Sequence, residues 1–145
     1  MRIFNKNILV IILIFIAIQC AVNPTDSRKK TVDQEQIIEN ISTADAYQMI
    51  VDNKTNNNFI IIDVRTPGEF SNGHIENALN IDYYADNFEN DLNTLDKSLV
   101  YLIYCRSGGR SGQALNQMEE LKFNTVYNML GGMNQWTALE YPVVN

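Results

Sequence analysis

The chain has 145 residues, 46% of them hydrophobic and 19% charged, with a formal net charge of −6. That length suits one domain with a short appendage, and the composition excludes a fibre, a repeat array or a long disordered tract. The acidity excludes nucleic acid as a partner, because a phosphate backbone is bound through a basic footprint.

The first twenty residues differ in kind from the rest. Arg2 and Lys6 precede an apolar run from Ile8 to Ile18. As a helix that run spans roughly 16 Å, about half a bilayer core. A basic stretch followed by a short apolar run reads as a secretory signal over residues 1–19, and predicts export to the periplasm or cell envelope. Ala17-Ile18-Gln19-Cys20 is similar to the signal-peptidase site of bacterial lipoproteins, so Cys20 is expected to be lipidated and to tie the chain to a membrane. Gln19 departs from the small residue that this pattern prefers. Plain secretion is the alternative, and an uncleaved anchor is disfavoured by the length of the run. Loss of residues 1–19 removes Arg2 and Lys6, leaving 9 basic against 17 acidic residues and a net charge of −8.

Residues 20–35 are polar around Pro24, Arg28, Lys29 and Lys30, and read as the lipidation site with a flexible tether. With Cys20 lipidated, Cys105 is the one thiol left, and no disulfide can form within the chain.

Residues 36–145 form the expected domain. Ile37, Ile38 and Ile41 suggest a short strand, and Ser42-Thr43-Ala44-Asp45 resembles a capping box opening a helix to about Asp52. Asn53 to Asn58 is a loop. Phe59 to Val64 is a β-branched apolar run of the kind a buried parallel strand shows, and Leu99 to Tyr104 is another. Asn80 to Tyr84 reads as a short strand between them. Ala114, Leu115, Met118 and Leu121 recur at helical spacing, predicting an amphipathic helix over 110–121. Thr125 to Leu130 reads as the last strand, closed by Gly131-Gly132. Strands alternating with helices predict an α/β sandwich on a parallel sheet, with reactive groups just past the carboxyl ends of the strands.

Cys105 falls in that place, opening the segment Cys105-Arg106-Ser107-Gly108-Gly109-Arg110-Ser111. Consecutive glycines permit positive φ and bare backbone, so successive N–H groups can turn inward as an anion nest. A helix starting near Arg110 adds its positive end, and two guanidinium groups flank the loop. A thiol in that field is expected to ionise readily and act as a nucleophile. An inert core cysteine would not be followed by two arginines, which are costly to bury.

This segment resembles the active-site loop of the rhodanese family. Asp63-Val64-Arg65, Glu69-Phe70, Gly73-His74-Ile75, Gly131-Gly132, Trp136 and Tyr141-Pro142-Val143 resemble further landmarks of that family across residues 36–145. The resemblance implies a three-layer sandwich, a central parallel sheet with helices on both faces. It also implies a two-step sulfurtransferase without a cofactor. Cys105 would take a sulfane sulfur from thiosulfate or a persulfide, and a thiol or cyanide acceptor would remove it. Arg106 and Arg110 would bind the small anionic donor, the backbone of Gly108 and Gly109 would hold the persulfide, and Ser107 and Ser111 would add hydrogen bonds. A sulfur-carrier or persulfide-sensing module with little turnover needs the same residues. A phosphatase or arsenate reductase is disfavoured by loop length: Cys105 to Arg110 is C-x4-R, whereas related dual-specificity phosphatases use C-x5-R. Asn77 and Glu140 replace two glycines of the pattern.

Other residues are expected to be structural. His74, the lone histidine, braces a loop, and with one cysteine it cannot form a metal site. Asp63, Arg65 and Glu69 are expected to share one ion-pair network, Trp136 to pack behind the sheet, and the acidic stretch Asp82 to Asp96 to be a solvated face. Nothing in the sequence selects a protein partner.

Overall fold

A computed structural model describes residues 35–145. The signal 1–19, Cys20 and the tether up to residue 34 lie outside the described residues.

In chain order the elements are β1 (Ile37–Ile41), α1 (Thr43–Asp52), β2 (Phe59–Asp63), α2 (Pro67–Ser71), β3 (Leu79–Asn80), α3 (Phe88–Asn93), β4 (Val100–Tyr104), α4 (Gly109–Glu120), β5 (Thr125–Met129) and α5 (Gly132–Ala138). The strands form one parallel sheet in the order β1-β5-β4-β2-β3. The side-chain alternation of strands divides the apolar residues between two cores. Ile62 and Val64 from β2 and its end, with Tyr101 and Ile103 from β4, face Phe88 and Leu92 of α3 and Ala114, Leu115 and Met118 of α4. Ile61, Leu102 and Tyr104 face the other way, toward Ala46 of α1 and Met133 and Trp136 of α5. Both faces of β2 and β4 are therefore buried, which is why these strands read as unbroken apolar runs. The predicted α/β sandwich with helices on both faces of a parallel sheet is the architecture observed.

The predicted strand at Asn80–Tyr84 is replaced by the two-residue β3, ending at Asn80. Beyond it the Asp82 carboxylate accepts the Tyr84 N–H, and the Ala85 N–H reaches the Asp82 carbonyl, folding the chain into a turn. Helices α2, α3 and α5, of five, six and seven residues, fill stretches that show no helical periodicity in sequence. Too few turns exist in them for a periodic signal to accumulate.

Two helices end in the same way. After α4 the Phe123 N–H reaches back to the Met118 carbonyl and the Lys122 N–H to Glu119. After α5 the Tyr141 N–H reaches Trp136 and the Glu140 N–H reaches Thr137. These are Schellman closures, and they put Lys122 at φ 67° and Glu140 at φ 57°. Glu140 thus keeps the turn its sequence position usually gives to glycine, and Asn77 does likewise at φ 63°. The second closure is sealed by the Trp136 and Tyr141 rings, 5.0 Å apart, and by the Trp136 Nε1–H donated to the Pro142 carbonyl at 2.9 Å.

Candidate active site

Strand β4 lies in the middle of the sheet and delivers Cys105 at its carboxyl end. The alternation that points Tyr101 and Ile103 toward α4 points Cys105 the same way, and the residue is 1% exposed. The chain then turns through Gly108, at φ 97°, into α4. Only Gly108 of the two glycines takes positive φ; Gly109 is the first residue of the helix. This turn brings the Gly108 N–H to 3.1 Å from the Cys105 Sγ, and the first turn of α4 sets the buried Ser111 Oγ 3.5 Å from the same sulfur.

The rest of the loop is oriented from behind by α5. The Met133 N–H donates to the Cys105 carbonyl and the Asn134 N–H to the Arg106 carbonyl, each at 2.9 Å. Because a trans peptide sets N–H opposite C=O, fixing these two carbonyls on α5 turns the Arg106 and Ser107 N–H groups the other way, toward the cradle. Such a close approach leaves no room for a side chain at Gly132, whose Cβ would strike the Cys105 carbonyl oxygen. Burial opposes ionisation of Cys105, but the Ser111 hydroxyl and the N–H groups of Ser111, Ser107 and Gly108 outweigh it and hold the thiol below its usual range. The hydrogen bonds around the sulfur therefore favour its charged form.

The two arginines of the loop differ. Arg106 and Ser107 are exposed, and Arg106 forms no ion pair among the described residues. Arg106 borders a recess of about 350 Å³ between α2 and α5, with Glu69, Asn72 and Asn134 also on its walls. Arg110 is not free. Its two terminal nitrogens each donate to a different oxygen of Glu69, both at 2.7 Å, and its guanidinium lies 5.4 Å from the Tyr84 ring centroid. Arg110 holds the Glu69 carboxyl down at about 2, helped by the Thr66 N–H and hydroxyl, while Glu69 raises Arg110 above its usual range.

That pair corrects the expected network of Asp63, Arg65 and Glu69. Asp63 and Arg65 do form a buried pair, with Arg65 NH2 2.6 Å from the Asp63 Oδ2 and 2.7 Å from the Gly73 carbonyl oxygen. Glu69 points instead to Arg110, 41 residues on in the chain. His74 stacks on Phe70 at 3.7 Å, its Nδ1 lies 3.1 Å from the Phe70 carbonyl oxygen, and its backbone pairs with Val144. These contacts give it the bracing role expected.

Three features of the site go beyond what the sequence marks: the partner of Glu69, the backbone brace from α5, and Tyr84. Thr66-Pro67-Gly68-Glu69 has capping-box spacing, a signal that places Glu69 at the start of α2, but nothing local marks its distant partner. The backbone brace of Met133 and Asn134 has no side-chain signature. Tyr84, 67% exposed, carries no local motif.

A profile of the rhodanese-like domain family matches residues 42–139. A protein named sulfurtransferase from Allochromatium vinosum is 32% identical over 85 residues, spanning 59% of this chain and 78% of its own. The thiosulfate:glutathione sulfurtransferase of Saccharomyces cerevisiae is 28% identical over 133 residues, 84% of this chain and 92% of that protein. Among solved structures, a rhodanese-related protein from Thermoplasma volcanium superposes with a TM-score of 0.63 at 29% identity, covering 73% of this chain and 97% of that one.

Proposed function

The chain belongs to the family of rhodanese-like domains, and from that premise we propose that it carries sulfane sulfur on Cys105 and passes it to a thiol or cyanide acceptor. The observation that supports this most is the sulfur at the end of β4, facing the N–H of Gly108 and the hydroxyl of Ser111 with its ionised form favoured. In the first step the Cys105 thiolate attacks the outer sulfur of a donor, forming a new S–S bond as the donor's own S–S bond breaks. Thiosulfate releases sulfite; a persulfide releases its thiolate. In the second step an acceptor thiolate or cyanide attacks the outer sulfur and Cys105 leaves as thiolate. The inward N–H groups of the loop meet negative charge at every stage, without reorganising as it moves.

The loop from Cys105 to Arg110 is six residues, one shorter than the C-x5-R loop of the related phosphatases, and this supports sulfur over a tetrahedral phosphate as its substrate. Incubation with a persulfide or thiosulfate should add one sulfur atom to the wild-type protein and none to Cys105→Ala, as read by mass spectrometry. Hydrolysis of p-nitrophenyl phosphate faster than sulfur transfer by the same preparation would reverse the assignment.

Residues 1–20 support a second part of the proposal, that the domain works outside the cytoplasm on a lipid anchor at Cys20. Diacylation or triacylation would hold it stably, since one chain binds membranes only marginally. The wild type should stay in the membrane fraction through a salt wash, and Cys20→Ser should be released or accumulate as precursor. Recovery of a soluble wild-type protein beginning after residue 20 would replace anchoring by secretion.

A further inference from the structure

The sulfurtransferase reading leaves the donor open, and the pair formed by Glu69 and Arg110 bears on it. Of the two guanidinium groups at the cradle, Arg110 has both terminal nitrogens committed to the Glu69 carboxylate at 2.7 Å. The carboxylate is fixed in turn, because its Oε2 also accepts the Thr66 N–H at 3.2 Å and the Thr66 hydroxyl at 3.1 Å. A bidentate pair anchored by a capping box is a rigid unit of zero net charge. The only uncompensated cation left on the loop is Arg106, exposed and therefore screened by salt.

We infer that the Glu69–Arg110 pair sets donor choice, directing Cys105 toward persulfides and away from thiosulfate. The inference rests on the sulfurtransferase reading and deepens it. Attack of the thiolate on thiosulfate brings a monoanion onto a dianion and ends with a persulfide anion beside departing sulfite, so three negative charges share the cradle throughout. Attack on a persulfide carries two negative charges when the donor is ionised, R–S–S−, and one when it is protonated, R–S–SH; in either form the Cys105 thiolate takes the outer sulfur, the donor's S–S bond breaks and the thiolate of R leaves. Neutralising Arg110 penalises the first path more than the second. The ring of Tyr84, 67% exposed against Arg110, also offers apolar surface to the organic part of a persulfide, which thiosulfate lacks.

The charge of the pair can be varied in both directions on the full chain. Glu69→Gln frees one positive charge and keeps the helix cap, since glutamine serves at that position of a capping box. Arg110→Gln leaves one negative charge, and the double variant returns to neutral. The readout is kcat/KM for loading one sulfur onto Cys105 from thiosulfate and from cysteine persulfide, taken as a ratio so that general losses cancel. The wild type should favour cysteine persulfide. The thiosulfate-to-persulfide ratio should rise about tenfold in Glu69→Gln, fall about tenfold in Arg110→Gln, and return to within about threefold of wild type in the double variant, at about 1.4 kcal/mol per decade. A wild type that favours thiosulfate, or a ratio indifferent to the charge of the pair, overturns the inference alone. Failure of both donors to load Cys105 overturns the sulfurtransferase reading and the inference with it.

Discussion

At the scale of single residues, one hydroxyl stands against the Cys105 sulfur. Ser111 is fully buried in the first turn of α4, and its Oγ lies 3.5 Å from the sulfur and 3.3 Å from the Gly108 carbonyl oxygen. The one hydroxyl proton can serve either acceptor, and an ionised sulfur is the stronger of the two. Ser111→Ala removes a donor to the charged form and costs the helix nothing, since alanine has the better propensity. Alkylation of Cys105 by iodoacetamide at neutral pH should slow about fivefold, for a hydrogen bond worth about 1 kcal/mol. The whole pH profile of alkylation should move toward alkaline pH. A profile identical to that of the wild type would show that the backbone N–H groups suffice. Sequence made Cys105 legible because a thiol, two glycines and two arginines fall within six consecutive positions. Glu69 stayed hidden as a partner because nothing local to residue 69 or residue 110 fixes their approach across 41 positions.

At the scale of elements, the loop depends on α5 as much as on α4. Gly132 sits at φ 52° with its α-carbon against the Cys105–Ser107 backbone, and its neighbours Met133 and Asn134 donate to that backbone. Gly132→Ala forces either the loop or the start of α5 to retreat. The expected loss is about 2–4 kcal/mol, combining left-handed strain with overpacking, and the urea midpoint should fall accordingly. Cys105 should also lose its easy ionisation, because the two peptides are no longer oriented. The end of the same helix offers the opposite case. Glu140 holds φ 57° in a Schellman closure with its side chain in solvent. Glu140→Gly should raise stability by about 1 kcal/mol, the left-handed strain it relieves; an unchanged melting temperature would mean that unfolded-state entropy offsets it. Strands β2 and β4 and helix α4 were legible from pattern because burial on two faces, or along one stripe, leaves a long periodic trace. Helix α5 was not, since Gly131-Gly132 reads as a stop signal and only the fold shows it as a start.

The sheet order explains why one loop gathers contributions from distant parts of the chain. β4 lies between β5 and β2, so the segments leaving the carboxyl ends of both neighbours flank the loop leaving β4. β5 leads into α5 and its backbone brace; β2 leads through Arg65 into α2 and Glu69. The site is thus tied to the segments that follow three strands, and its charges take part in the stability of the domain. Glu69 shows the consequence with a definite sign. Its folded carboxyl titrates at about 2 against an ordinary 4.5, so the folded state binds fewer protons than the unfolded chain over that interval. The stabilisation is fully present above about 4.5 and is lost as pH falls toward 2. Because the carboxylate is 30% exposed, solvent screens the pair and the effect is modest. Urea titrations of the wild type and Glu69→Gln should therefore differ most near neutrality and converge below pH about 2, where the carboxyl is protonated in both states. A difference that does not change with pH would show that Glu69 supports the fold through packing and capping, with its charge reserved for Arg110 and the reaction at Cys105.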